Sequence, residues 1–176
     1  MKKQSILRPI DVLVLLKIVS CSNRKLDWNT VILSRELFIS QSEISESLKR
    51  CRLSSLISDD KKEILRNSLL EFLISGVKYS FPASPGSIER GIPTAHSTRP
   101  ISEIINSNEI YIWEDWEGHV RGQVIEPLYK TVTKAVRVDS LLYELLALLD
   151  SIRIGKARER NIAETELRKR ILQTEQ

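Results

Sequence analysis

Four residues, Ser40-Gln41-Ser42-Glu43, constrain this chain more than any others. Serine followed three positions later by glutamate is a capping box. The Ser40 hydroxyl can accept from the backbone N–H of Glu43, and the Glu43 carboxylate can reach back to the N–H of Ser40. The pattern predicts a helix that begins at Gln41 with Ser40 as its N-cap. Ile44, Leu48 and Cys51 then recur at i, i+4 and i+7, on one inward face. Gln41, Ser42, Ser45, Glu46, Lys49 and Arg50 are left facing outward. Just upstream, Thr30 to Leu37 carries Leu33 and Leu37 at i, i+4, as a supporting helix would. Only Phe38, Ile39 and the cap Ser40 separate the two helices.

A turn this short between two helices is the spacing of a helix-turn-helix. The outward face of its second helix carries side chains suited to a major groove. Glutamine pairs bidentately with adenine, serine reads bases flexibly, and lysine or arginine reaches guanine or phosphate. From about Pro9 to Ile57 the chain resembles winged helix-turn-helix regulators, most nearly the DNA-binding half of MarR-type proteins. That family often has glycine where this chain has Phe38, and its common Gly-Leu-Ile ending stands here as Ser55-Leu56-Ile57. The resemblance implies a sequence-specific DNA-binding transcription regulator. Gln41, Ser42, Ser45 and Lys49 are expected at base edges beside the cap Ser40, with Arg50, Arg52 and Arg35 at phosphates. One recognition helix reads few bases, so a homodimer on paired half-sites is expected.

Pro9 and Ile10 open the first helix, with proline tolerated in a first turn. Ile10 to Val19 is so densely apolar that this helix is expected to be buried on most sides, behind the two that follow. Asp27 or Asn29 is a candidate cap for the second helix. Leu53, Leu56 and Ile57 read as a link into a wing strand. Asp59 and Asp60 then read as N-caps of a helix from Lys61 to Ser75, closed by Gly76 at C′. That helix would displace or remove the wing.

Val77 to Phe81 alternates like a short strand. Pro82 to Pro100 holds four of the six prolines and two of the six glycines, so it reads as a long loop. Its Arg90, Thr94, His96 and Arg99 are candidates for a wing or arm that enters a minor groove or clamps a phosphate. The alternative is a structured covering loop. Ile110 to Trp113 and His119 to Ile125 read as a strand pair about a turn at Glu117-Gly118. Glu109, Glu114, Asp115 and Glu117 gather there, more in keeping with a solvated turn than with a bound cation.

Asp139 is the expected N-cap of a leucine-dense helix from Ser140 to Ile152, buried in the core or against a second subunit. Gly155 breaks it before a last helix, Lys156 to Leu172. That helix is a candidate for dimerisation, for phosphate contact through Arg153, Lys156, Arg158 and Arg160, or for a solvated terminus.

Composition sets the outer limits. No apolar run approaches the ~18 residues of a membrane span, and Pro9 and Asp11 interrupt any leader-like stretch, so a cytoplasmic protein is expected. Residues 1–60 hold 10 basic and 7 acidic side chains, residues 101–150 hold 4 and 9, and the whole chain is at +4. Cys21 and Cys51 have no metal-ligand spacing and read as buried thiols. No P-loop, GxGxxG or Ser/His/Asp arrangement occurs, so no enzyme, cofactor or metal is expected.

The expectation is a mainly α, α+β protein with an N-terminal winged helix-turn-helix (1–60), a helix, loop and small antiparallel sheet (61–138) and two C-terminal helices (139–176). Its function would be transcription regulation on double-stranded DNA. The alternative is a protein-interaction module, an antitoxin or adaptor, gripping a partner protein with the leucine-rich helix and the long loop.

Overall fold

A computed structural model describes residues 6–173. Helix α1 (Pro9–Asn23) is the axis of the molecule, and every residue from Ile10 to Cys21 is buried. A helix apolar all round has to be enclosed, since each exposed leucine or valine side chain would forgo about 1.5–3 kcal/mol of burial. α1 packs on α2 (Thr30–Leu37) and α3 (Gln41–Leu53) on one side and on α7 (Ser140–Ile154) on the other. One core cluster therefore runs from Ile10 to Ile171.

The turn between α2 and α3 is achieved with Phe38 in the left-handed region, φ 57°. Asn29 caps α2 by accepting from the Ile32 N–H at 2.9 Å. Ser40 caps α3 by accepting from the Glu43 N–H at 3.2 Å. The Glu43 carboxylate does not return to Ser40; it meets the Arg50 guanidinium at 3.3 Å, so half of the expected box forms.

Two local readings are corrected. The helix expected from Lys61 begins only at α4 (Arg66–Glu71). Asp59 and Asp60 instead sit at the tip of a small hairpin, closed by the Ile57–Ile64 bridge and the Leu65 N–H to Leu56 carbonyl bond of 3.1 Å. The Ser58 hydroxyl satisfies the N–H groups of Lys62 and Glu63, and Asp60 also accepts from Lys62. Local side-chain bonding of this kind competes with helix initiation. Second, Val77 to Ser80 is helical: α4 continues through a π turn, Phe72–Gly76, into α5 (Val77–Ser80). Leu69, Leu73 and Val77 are fully buried, and helical spacing serves that inward face better than alternation does. Farther along, Thr131 leads into α6 (Val132–Val138).

The Pro/Gly-rich segment contains β1 (Ile88–Pro93), antiparallel to both β2 (Tyr111–Glu114) and β3 (Val120–Val124). β2 and β3 run parallel to each other, so the expected antiparallel pair closes into a three-stranded barrel. So narrow a ring brings backbones into contact. A Cβ on Gly91 would lie 2.0 Å from the Trp113 carbonyl oxygen, and one on Gly122 2.5 Å from that of Ile110. Glycine is what lets the ring close. The barrel docks on α7 through the buried Asp150, which accepts from Trp113 Nε1 (2.7 Å) and the Thr94 hydroxyl (2.8 Å) and pairs with Arg153 (2.7 Å).

Asp139 caps α7 as expected, accepting from the Leu142 N–H at 3.0 Å. It also takes the Lys17 ammonium at 2.5 Å, the Ser20 hydroxyl at 2.8 Å and Arg24 at 2.8 Å. Lys17 has no solvent exposure and reaches Glu36 of α2 at 2.6 Å. Burial alone would raise the Asp139 carboxyl, yet the Lys17, Leu142 and Ser20 donors hold it below the usual range. At Lys17 the Asp139 and Glu36 carboxylates overcome burial and hold its ammonium high. α8 (Ala157–Leu172) packs Ala163, Leu167 and Ile171 inward. No helix among the described residues is long and apolar enough to cross a membrane.

Candidate nucleic-acid interface

α3 turns Ile44, Leu48 and Cys51 into the core, at no more than 5% exposure, which fixes the direction of its polar face. Burial pushes the Cys51 thiol up to about 12, and Cys21 is likewise raised, so both are inert structural thiols. Gln41, Ser42, Lys49 and Arg52 stand exposed on the outer side, with Ser40 at the helix start and Ser45 half-buried. Lys49 is held by Glu46 at 2.6 Å, but both side chains are more than half exposed. Such a pair is worth at most about 1 kcal/mol and yields readily to a stronger anion.

Beside this face opens a cavity of about 580 Å³. Ser45 and Lys49 form one wall, Trp28, Asn29 and Thr30 at the start of α2 a second, and Lys61 and Lys62 of the hairpin a third. The hairpin follows α3 directly because Leu56 and Ile57 bury their side chains at 4% and 2% exposure and anchor its base. Lys61 and Lys62, which form no ion pair among the described residues, thus face the same space as Lys49, with Asp27 the one carboxylate in the lining. Lysines spaced around a concave surface create a positive field suited to a phosphate backbone.

Arg50 is not part of this surface. Its side chain is 11% exposed and forms a two-pronged pair with the buried Asp11, at 2.9 Å from Nε and 2.7 Å from Nη2. That contact clamps α3 to the first turn of α1, where Asp11 also accepts from the Arg8 N–H. Arg35 remains exposed on α2, with a loose 3.5 Å contact to Glu36, and Arg52 stands 4.0 Å from Asp59.

The wing or arm candidates divide. Thr94 and His96 are buried, one bonded to Asp150 and the other to the Glu109 carbonyl at 2.8 Å with its ring edge against Tyr111. They are buried where the barrel meets α7 and α8, out of reach of a groove. Arg90 and Arg99 are exposed, Arg99 being paired with Glu103 at 2.8 Å. Among the acidic residues of the β2–β3 turn, Asp115 and Glu117 both engage Arg137. No group of three or more His, Cys, Asp or Glu side chains suited to a metal ion occurs among the described residues.

Lys61, Lys62, Asn29 and Thr30 are the residues that sequence reasoning missed at this surface. The signal was present: Leu56-Ile57 and Ile64-Leu65 flank a short polar run, as hairpin arms do. Asp59-Asp60 drew attention away because they also resemble a helix cap.

Comparison with protein-family models, with curated proteins and with solved structures finds no match to this chain.

Proposed function

We propose that the chain is a non-enzymatic, sequence-specific regulator that binds double-stranded DNA. α3 lies in the major groove and the hairpin between Ile57 and Ile64 acts as a short wing. The observation that carries this reading is the shared cavity: Ser45 and Lys49 of α3 line it together with the hairpin lysines Lys61 and Lys62, and Gln41 and Ser42 stand exposed at the start of the same helix. Gln41 and Lys49 read base edges, while Lys61, Lys62, Arg52 and Arg35 contact phosphates. We favour this reading over a partner-protein module because Leu142, Leu145, Leu146, Leu148 and Leu149 are buried in the core and Ile88–Pro93 of the Pro/Gly segment pairs within the barrel.

The test is fluorescence-anisotropy titration of a duplex from the protein's own upstream region against a scrambled duplex, across a salt series. Gln41→Ala and Lys49→Ala are each expected to weaken binding to the specific duplex by about 1–3 kcal/mol, with little effect on the scrambled one. Lys61→Ala with Lys62→Ala is expected to weaken both duplexes alike and to lower the salt slope by roughly 2. Unchanged affinity in Gln41→Ala and Lys49→Ala would remove α3 as the reading helix.

A further inference from the structure

Successive side chains on α3 stand about 100° apart around its axis. Ile44, Ser47, Leu48 and Cys51 are buried and mark the side that faces the core. Ser42, Glu46, Lys49 and, at the helix end, Leu53 fall within roughly 30° of the opposite side, and all four are exposed. A carboxylate at this place is out of keeping with a face laid against phosphates. Glu43 and Glu46 are the acids of α3, and Glu43 is drawn to Arg50 at 3.3 Å. Glu46 has Lys49 as its one side-chain partner among the described residues, at 2.6 Å. That contact holds the Glu46 carboxyl below the usual range, so the group is ionised and accepts hydrogen bonds without donating any.

Among base edges in the major groove an ionised carboxylate has one good match. Guanine and thymine show it acceptors, and adenine sets its N7 acceptor beside the N6 donor, whereas cytosine offers the N4 amino group. In a cytosine·guanine pair that donor lies next to the guanine O6 acceptor. Glu46 and Lys49 carry the complement, an acceptor and a donor side by side on one face of the helix. We propose that Glu46 determines specificity by selecting a cytosine·guanine pair: its carboxylate accepts from cytosine N4 while Lys49 donates to guanine O6 or N7 of the same pair.

The inference rests on the major-groove reading proposed above and names a base pair which that reading leaves open. The contact between the two side chains holds both in place before DNA arrives, which lowers the cost of ordering them on binding. The same carboxylate opposes the phosphates and the thymine O4, so it weakens binding at wrong sequences as well as favouring the right one.

Selection of duplexes from a randomised pool by the purified full chain tests the proposal, with the wild type and Glu46→Gln run side by side and the enriched duplexes measured again by fluorescence anisotropy. The wild type is expected to enrich a site with a cytosine·guanine pair whose replacement by thymine·adenine weakens binding by about tenfold. Glutamine pairs with adenine, so Glu46→Gln is expected to exchange cytosine for adenine at that one position. It is also expected to bind scrambled duplex more tightly, because a negative charge has left the face. Helical circular dichroism stays unchanged, since Glu46 is exposed. A variant that enriches the same site as the wild type, with the same preference at every position, overturns this inference and leaves the major-groove reading standing. A wild type that enriches no sequence refutes that reading, and this inference falls with it.

Discussion

Replacing Asp139 with alanine acts on two things at once. It removes the side chain that caps α7, a loss of about 1 kcal/mol. It also takes away the carboxylate 2.5 Å from the fully buried Lys17. Breaking a buried pair by deleting one partner costs roughly 3–5 kcal/mol, because the surviving charge stays desolvated. Lys17 keeps Glu36 at 2.6 Å, so the loss falls just below that range, at about 2–3 kcal/mol. The expected total is roughly 3–4 kcal/mol, a large share of the ~5–15 kcal/mol that holds a typical domain.

Urea denaturation followed by far-ultraviolet circular dichroism measures this. A double-mutant cycle assigns it, because Lys17→Met removes the stranded charge while keeping the volume. The Asp139→Ala/Lys17→Met chain is expected to recover most of the buried-charge loss and to retain only the cap deficit. Asp139→Asn, which still caps, is expected to show the complementary pattern. A loss below about 1 kcal/mol in Asp139→Ala, or no recovery in the double variant, would refute the idea that this carboxylate neutralises Lys17.

Arg50→Ala is expected to destabilise the fold by about 3 kcal/mol by stranding Asp11, whereas Arg52→Ala stays within roughly 0.5 kcal/mol; paired urea titrations distinguish them, and equal effects would place Arg50 on the surface after all. Gly91→Ala is expected to cost more than about 4 kcal/mol, because its methyl meets backbone and not a movable side chain. Gly86→Ala, whose Cβ would meet the Val124 carbonyl at an ordinary 3.5 Å, is the tolerated control in the same thermal melts. Stability is also expected to depend on pH through the Lys17 cluster. The Lys17 contact holds the Glu36 carboxyl low, and Asp139 is low as well, so their contribution is present above ~4 and is lost as pH falls through the folded values. Lys17 is held high, so its contribution is present below ~10.4 and is lost as pH rises through its folded value. Asp150 acts with the opposite sign at low pH, because burial raises its carboxyl. A urea midpoint in Lys17→Met as pH-sensitive as in the wild type would count against this assignment.

The sequence by itself determined the helices whose signals are local. Ser40, Asn29 and Asp139 cap because their oxygens bond N–H groups three residues away, and Leu33, Leu37, Ile44, Leu48 and Cys51 face inward because 3.6-residue spacing leaves them no other direction. Gln41, Ser42 and Lys49 were therefore legible as one exposed face. Tertiary structure decided whatever depended on partners distant in the chain. Arg50 reads as a free cation until Asp11, thirty-nine residues earlier, is packed against it. Thr94 reads as a loop hydroxyl until Asp150 arrives fifty-six residues later. Val77 to Ser80 alternates like a strand, but the core it meets is lined by α7, and a helical turn buries Val77 there. β1 was hidden among prolines and glycines because its pairing with β2 and β3 supplies the order that local propensity withholds, and Gly91 permits that pairing only through what it lacks. Local bonds are written in neighbouring residues, whereas burial and long-range pairing exist only once the chain has closed on itself.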